Sequence, residues 1–120
     1  MKFLMIWRQD TPMSNYNVLI TNRAKNDLVG IGDYITYTLF EPEIALNLIK
    51  GIRQQINKLS ELPIRQSLIA DVVLASQGIR CLPYKNYYIF YQVEELTKTV
   101  FVLRIGYNRR NWKEILNPQQ

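Results

Sequence analysis

Cationic and aromatic side chains gather in the last third of the chain, GIRCLPYKNYYIFYQVEELTKTVFVLRIGYNRRNWKEIL, from Gly78 to Leu116. Arg80, Lys85, Arg104, Arg109, Arg110 and Lys113 supply most of the positive charge, with Tyr107 and Trp112 among the last of them. Guanidinium forks hold phosphate oxygens in pairs, and aromatic rings stack on bases, so this set suits a phosphate-rich, base-bearing partner. A proton acceptor is harder to find. The chain has no histidine, which removes the usual neutral-pH base, every histidine-containing zinc site and all Ser-His or Cys-His triads. No Walker-type or GxGxxG run occurs, Gly30-Ile31-Gly32 lies inside a helical pattern, and the carboxylates are scattered. Neither a metal nor a cofactor is expected.

Each cation has a bland reading beside the chemical one. Alternation along a strand from Thr99 to Tyr107 puts Val100, Val102, Arg104 and Gly106 on one face and Phe101, Leu103, Ile105 and Tyr107 on the other. Arg104 therefore interrupts an apolar row, either as a solvated or ion-paired residue at the sheet edge or as a phosphate holder. Arg80, alternating with Leu82 on a neighbouring strand, faces the same choice, and the two could converge on one anion. Arg109, Arg110 and Lys113 are either a solvated basic face or an extension of an anion site past the strand end. Tyr84, Tyr87, Tyr88 and Tyr91 read as strand tyrosines that pack their rings and hydrogen-bond their hydroxyls. Tyr107, beside the arginines, is the stacking candidate, and Trp112 reads as a cap over the open end of the sheet.

The elements that must position these groups follow from periodicity. Tyr16–Ile20 alternates and reads as a first strand. Thr21 or Asn22 can cap a helix with apolar positions Ala24, Leu28, Ile31, Ile35 and Leu39, in which Gly30 and Gly32 point to a close packing contact. Pro42 suits the first turn of a second helix, striped by Ala45, Leu48, Ile49, Ile52, Ile56 and Leu59 and ended by Pro63. Gly78–Pro83, Tyr87–Val93 and Thr99–Ile105 read as three antiparallel strands, joined by Tyr84-Lys85-Asn86 and by Glu94–Lys98. Residues 64 to 77 have no firm period, although Asp71–Ala75 could form a short helical turn. Asn108–Leu116 could make a terminal helix. The expected architecture is α+β: an N-terminal strand, a two-helix antiparallel hairpin packed on a small, mainly antiparallel sheet, and a short C-terminal helix.

Length and composition agree with this economy. The chain of 120 residues, 48% hydrophobic, suits a single domain over 14–120, with residues 1–13 as a poorly ordered or accessory tail. Fifteen Lys and Arg against ten Asp and Glu leave a net charge of +5, compatible with nucleic acid, a ribosomal surface or an acidic protein. The one cysteine, Cys81, cannot form an internal disulfide, and a reducing cytoplasm fits best. The apolar start MKFLMIW is far below a spanning length, so no membrane is expected.

The order of elements, together with GIRCLPYKNYYIFYQV and VFVLRIGYNRRNW, resembles the RelE/ParE superfamily of bacterial type II toxins over Tyr16 to Leu116. Its most specific parts are the G-x-R-x-L start, the NYYIFYQV strand and the RI-x-Y-x-RR-x-W ending. The resemblance implies a small cytoplasmic α+β domain held in check by a cognate antitoxin. It leaves two activities open. RelE-like and YoeB-like members cleave messenger RNA in the ribosomal A site without metal, whereas ParE-like members bind DNA gyrase and cleave nothing.

Residue by residue, the cleaving pattern is only partly present. Where many cleaving members carry arginine before the core of the central strand, this chain has Tyr88. The lysines of the preceding strand are unmatched, although Lys85 stands nearby, and the His-Tyr pair of YoeB-like members maps onto Gly106 and Tyr107. Metal-free attack by a 2′-hydroxyl needs a base, cations for the phosphorane and a proton for the leaving oxygen. Arg80, Arg104 and Arg109 are the catalytic cations on this reading, with Lys85 or Tyr107 as base or donor. Arg80, Arg104, Tyr107, Arg109, Arg110 and Lys113 would bind the nucleic acid. The leading expectation is a toxin that blocks translation by ribosome-dependent mRNA cleavage, with the ribosome and mRNA as partners beside the antitoxin. A ParE-like gyrase inhibitor is the alternative, and a degenerate toxin fold that chiefly binds antitoxin or nucleic acid is the third reading. The antitoxin is expected in the groove between helix hairpin and sheet or along a strand edge, with an acidic segment folding over the basic face.

Overall fold

The computed structural model describes residues 15–61, 63–65 and 75–107. The expected tail over 1–13, the terminal helix over 108–116 and positions 71–74 of the short turn lie outside the described residues.

A short strand, β1 (Asn17–Ile20), leads into helix α1 (Asn22–Asp33). Thr21 is its N-cap: its backbone is extended and its Oγ1 accepts the Ala24 N–H, an arrangement usually contributing about 1 kcal/mol. Ala24 and Leu28 are buried as the stripe predicts, but the α-helical period ends at Asp33. A π-helical turn, Tyr34–Thr38, follows. Such a turn takes up an extra residue and rotates what comes after it. Ile35 stays in the core, while Leu39, expected in the same stripe, is exposed. Phe40 then adopts a left-handed backbone, φ +58°, and reverses the chain.

Helix α2 (Pro42–Asn57) begins on proline, where a missing N–H costs nothing. It buries Ala45, Leu48, Ile52 and Ile56, and a 3₁₀ turn over Lys58–Ser60 adds Leu59. Full burial of such a side chain stabilises by roughly 1.5–3 kcal/mol. Pro63 opens a second 3₁₀ turn, Pro63–Arg65, whose Pro63 carbonyl accepts the buried Tyr91 hydroxyl.

The remaining strands are β2 (Arg80–Tyr84), β3 (Tyr87–Glu94) and β4 (Thr99–Tyr107), and the sheet order is β1-β4-β3-β2. Pairing is antiparallel for β2 with β3 and β3 with β4, and parallel for β1 with β4. Both helices lie between β1 and the hairpins in sequence, so the chain can return to β1 in the parallel sense. Their stripes cover one sheet face, against Ile89, Tyr91, Val100, Val102 and Ile105. The opposite face carries Ile79 and Phe90, with Cys81, Tyr88 and Leu103 packed around them.

Two expectations about packing change. Gly30 faces open space and Gly32 only an ordinary contact with Ile49, so neither marks a close approach. That place is Gly51 on α2, where a Cβ would lie 2.0 Å from the Tyr84 hydroxyl oxygen. Strict alternation along β4 also fails. Tyr91 faces Val102 but Phe90 faces Arg104, which leaves Leu103 as the extra residue of a β-bulge. Beyond it the faces exchange, so Ile105 joins Val100 and Val102 under the helices, and Tyr107 stands opposite Tyr87.

Candidate functional site

The bulge sits against the first turns of α1, and its irregular backbone needs partners there. Thr21 donates its hydroxyl to the Leu103 carbonyl, and its N–H bonds the Val102 carbonyl at 3.1 Å. Asp27, two helical turns from the cap, does more. Its Oδ2 accepts the Arg104 Nε–H at 2.8 Å and the Ile105 N–H at 2.9 Å, while Oδ1 accepts Arg104 Nη2 at 2.9 Å. The carboxylate thus grips guanidinium and bulge backbone together. Hydrogen bonding to Asp27 is the main cause that raises the Arg104 pKa further above its ordinary value; burial opposes it and the carboxylate's charge adds to it. Arg104 is an ion-paired residue of the helix–sheet junction, the bland member of its two readings. Nothing in the spacing marked Asp27, because its partner lies 77 positions away.

Arg80 does not stand beside Arg104. Strand β3 lies between β2 and β4, which corrects the placement of the two arginines on adjacent strands. Arg80 opposes Tyr91 and donates Nη1–H to the Ile64 carbonyl at 3.3 Å. Lys85 lies in the two-residue turn between β2 and β3 with a left-handed backbone, φ +55°, and its ammonium sits 5.7 Å from the centre of the Tyr84 ring. Arg109, Arg110, Lys113 and Trp112 lie outside the described residues. Arg80, Lys85 and Arg104 thus each engage a different part of the molecule.

Tyr107 ends β4 and is exposed, with its ring edge-to-face on Tyr87 at 5.2 Å between centroids. Burial first, then the neighbouring Tyr107 and Tyr34, push the Tyr87 phenol above its ordinary pKa. These three tyrosines line a groove of about 770 Å³ between α1, the hairpin connection and the end of the sheet. Ile31, Ile35, Leu39, Ile44 and Ile105 make its walls, and its charged lining residues are Asp27 and Glu41. Among the described residues, no Lys or Arg lines this groove. A second crevice of about 750 Å³ opens between α1 and α2 on the β1 side, with Lys25 and Arg53 in its lining. Tyr34, Tyr87 and Glu41 were not among the sequence candidates. For Tyr34 and Glu41 the signal was the absence of any Lys or Arg from Asn26 to Ile49 in a chain with 15 of them, a stretch that does not include Tyr87.

Comparison with known proteins matches this arrangement of elements. The family model described as the ParE toxin of the type II toxin-antitoxin system parDE matches residues 18–112. A solved structure of the chromosomal ParDE toxin-antitoxin system from P. aeruginosa superposes with a TM-score of 0.65 at 23% identity, covering 81% of this chain and 100% of that one. The RelBE2 toxin-antitoxin complex from Mycobacterium tuberculosis gives 0.57 at 21% identity, covering 82% and 98%. A double mutant of the E. coli toxin RelE in its free state gives 0.58 at 14% identity, covering 84% and 92%. No curated protein matches. At these identities the solved structures establish the fold, and the family model carries the assignment. The chain, with its clamped bulge and its match across residues 18–112, belongs to the ParE toxin family of type II toxin-antitoxin systems.

Proposed function

We propose that the protein is a cytoplasmic toxin, restrained by a cognate antitoxin, that acts by binding DNA gyrase and not by cutting messenger RNA. The carrying observation is the Asp27 fork on Arg104. A guanidinium held at 2.8 and 2.9 Å by a carboxylate is a poor phosphorane stabiliser, since substrate would have to break that pair first. The match to the ParE family model supports the same reading, as does the presence of Tyr88 and Gly106 where cleaving relatives carry arginine and histidine. A solved ParDE system and a RelBE2 toxin-antitoxin complex among the similar structures support the antitoxin partner.

Inducible expression, followed by a gyrase supercoiling assay and 5′-end mapping of cellular RNA, separates the two activities. Blocked supercoiling with unchanged RNA ends is the expected result. New codon-phased RNA ends with supercoiling intact would return the activity to mRNA cleavage, with Arg80, Lys85, Tyr107 and Arg109 as the residues to substitute next.

A further inference from the structure

The crevice of about 750 Å³ between α1 and α2 takes no part in the Asp27–Arg104 clamp, and its charges are ordered along its length. From α1 come Lys25, Leu28, Val29, Gly32, Asp33 and Thr36, spaced by threes and ones so that they share one helical face. α2 runs back alongside, and its Ile49 Cγ1 lies 3.7 Å from where a Cβ on Gly32 would stand. Lys25 and Arg53 lie on one side of that contact, towards the start of α1, and Asp33 and Leu46 lie on the other, towards the hairpin connection. Leu28 and Ala45 are buried, whereas Val29 is 61% exposed and Leu46 56%. Apolar side chains left so open in one trough mark an interaction surface. It shares no lining residue with the groove of Tyr34, Tyr87 and Tyr107.

Val29 stands midway between Lys25 and Asp33, four residues from each. At a rise of 1.5 Å per residue, the two charges lie about 6 Å to either side of it along the helix. A two-fold axis at Val29, normal to the helix, therefore lays the lysine of one copy on the aspartate of the other, twice over, because in such a contact residue i meets j and j meets i. We propose that this face docks a second copy of the chain, α1 against α1 in the antiparallel sense, with Val29 at the axis and Lys25 of each copy on Asp33 of the other. Charge order selects that occupant. A uniformly anionic partner attracted by Lys25 and Arg53 is repelled by Asp33, and a cationic one meets the reverse; a second copy brings both signs in inverted order. The net charge of +5 opposes self-association in general. Between Asn26 and Ile49, however, the sequence has carboxylates and no Lys or Arg, so two copies meeting through this part of the hairpin repel least. The inference is independent of which protein the toxin inhibits.

The test is sedimentation equilibrium of the purified full chain at about 0.15 M salt, where net charge is screened beyond about 8 Å and contact pairs still act. A monomer–dimer equilibrium is expected. Lys25→Asp and Asp33→Lys fall at exposed positions, and each turns two symmetry-related attractions into repulsions. Each variant alone should dimerise about tenfold more weakly, with its circular dichroism spectrum unchanged. Mixed together, the two variants recover both pairs across the axis and should bind each other about tenfold more tightly than either binds itself. That preference requires both proteins to be folded, so misfolding cannot imitate it. A full chain that stays monomeric at every concentration, a dimer unaffected by both substitutions, or variants with no preference for each other overturns the proposal.

Discussion

Asp27 and Arg104 show how one residue's role depends on its surroundings. An arginine in an apolar row is ambiguous until its partner is known, and a carboxylate on the bulge-facing side of α1 settles it as a structural ion pair. Substituting Asp27→Ala leaves the Arg104 guanidinium and the Ile105 N–H short of their acceptor in a mostly buried place. Urea denaturation should show a loss of about 2–4 kcal/mol, with Arg104→Met in the same background recovering part of it. Tyr87 gives a pH prediction. Its folded-state pKa lies above its ordinary 10.0, chiefly through burial, so the neutral phenol is favoured by folding. Its contribution is fully present below pH 10.0 and is lost as pH rises through the folded value. Stability followed by circular dichroism should therefore decline above that pH, and less steeply in Tyr87→Phe.

At the scale of elements, two contacts lock the helices to the sheet. Thr21 caps α1 and also donates to the Leu103 carbonyl at the bulge, so Thr21→Val removes a cap and a tertiary bond together. A loss of about 1–2 kcal/mol in thermal or urea unfolding is expected. Gly51 lets the Tyr84 ring lie against α2, with the ring's Cζ 2.6 Å from where a Cβ would stand. Alanine normally stabilises a helix relative to glycine by up to about 1 kcal/mol. Here the sign should reverse, with Gly51→Ala costing about 1–3 kcal/mol through overpacking. In a Tyr84→Ala background the same substitution should become neutral or stabilising, and a double-mutant cycle reads the difference directly.

For the whole molecule, the uneven distribution of charge matters more than its sum. All 15 lysines and arginines lie outside Asn26–Ile49, so the hairpin tip is locally acidic on a basic protein. Non-specific nucleic acid should therefore avoid the tip. In an NMR titration with a short single-stranded oligonucleotide at low salt, amide shifts should move around Lys85 and Lys98 and stay fixed from Tyr34 to Ile44; raising salt should abolish the movement. Perturbation centred on the tip would contradict this picture of the surface.

Local chemistry already carried the order and type of elements. Periods of two and of three to four, the Thr21 cap, Pro42 at a helix start and the polar turns before Tyr87 and Thr99 are all short-range signals, and the α+β layout follows from them. Absences were as readable: without histidine the common bases drop out wherever the chain goes. Tertiary structure decided what depended on distant partners. The bulge at Leu103 broke the alternation that placed Arg104, Ile105 and Tyr107, because a bulge is a property of two strands and the helix that grips them. The π-turn turned Leu39 outward, and β3 came between the two arginines. Spacing along one strand reports which residues can share a face. Which of them do is set by a carboxylate 77 positions away, on a helix that the strand meets only in the folded chain.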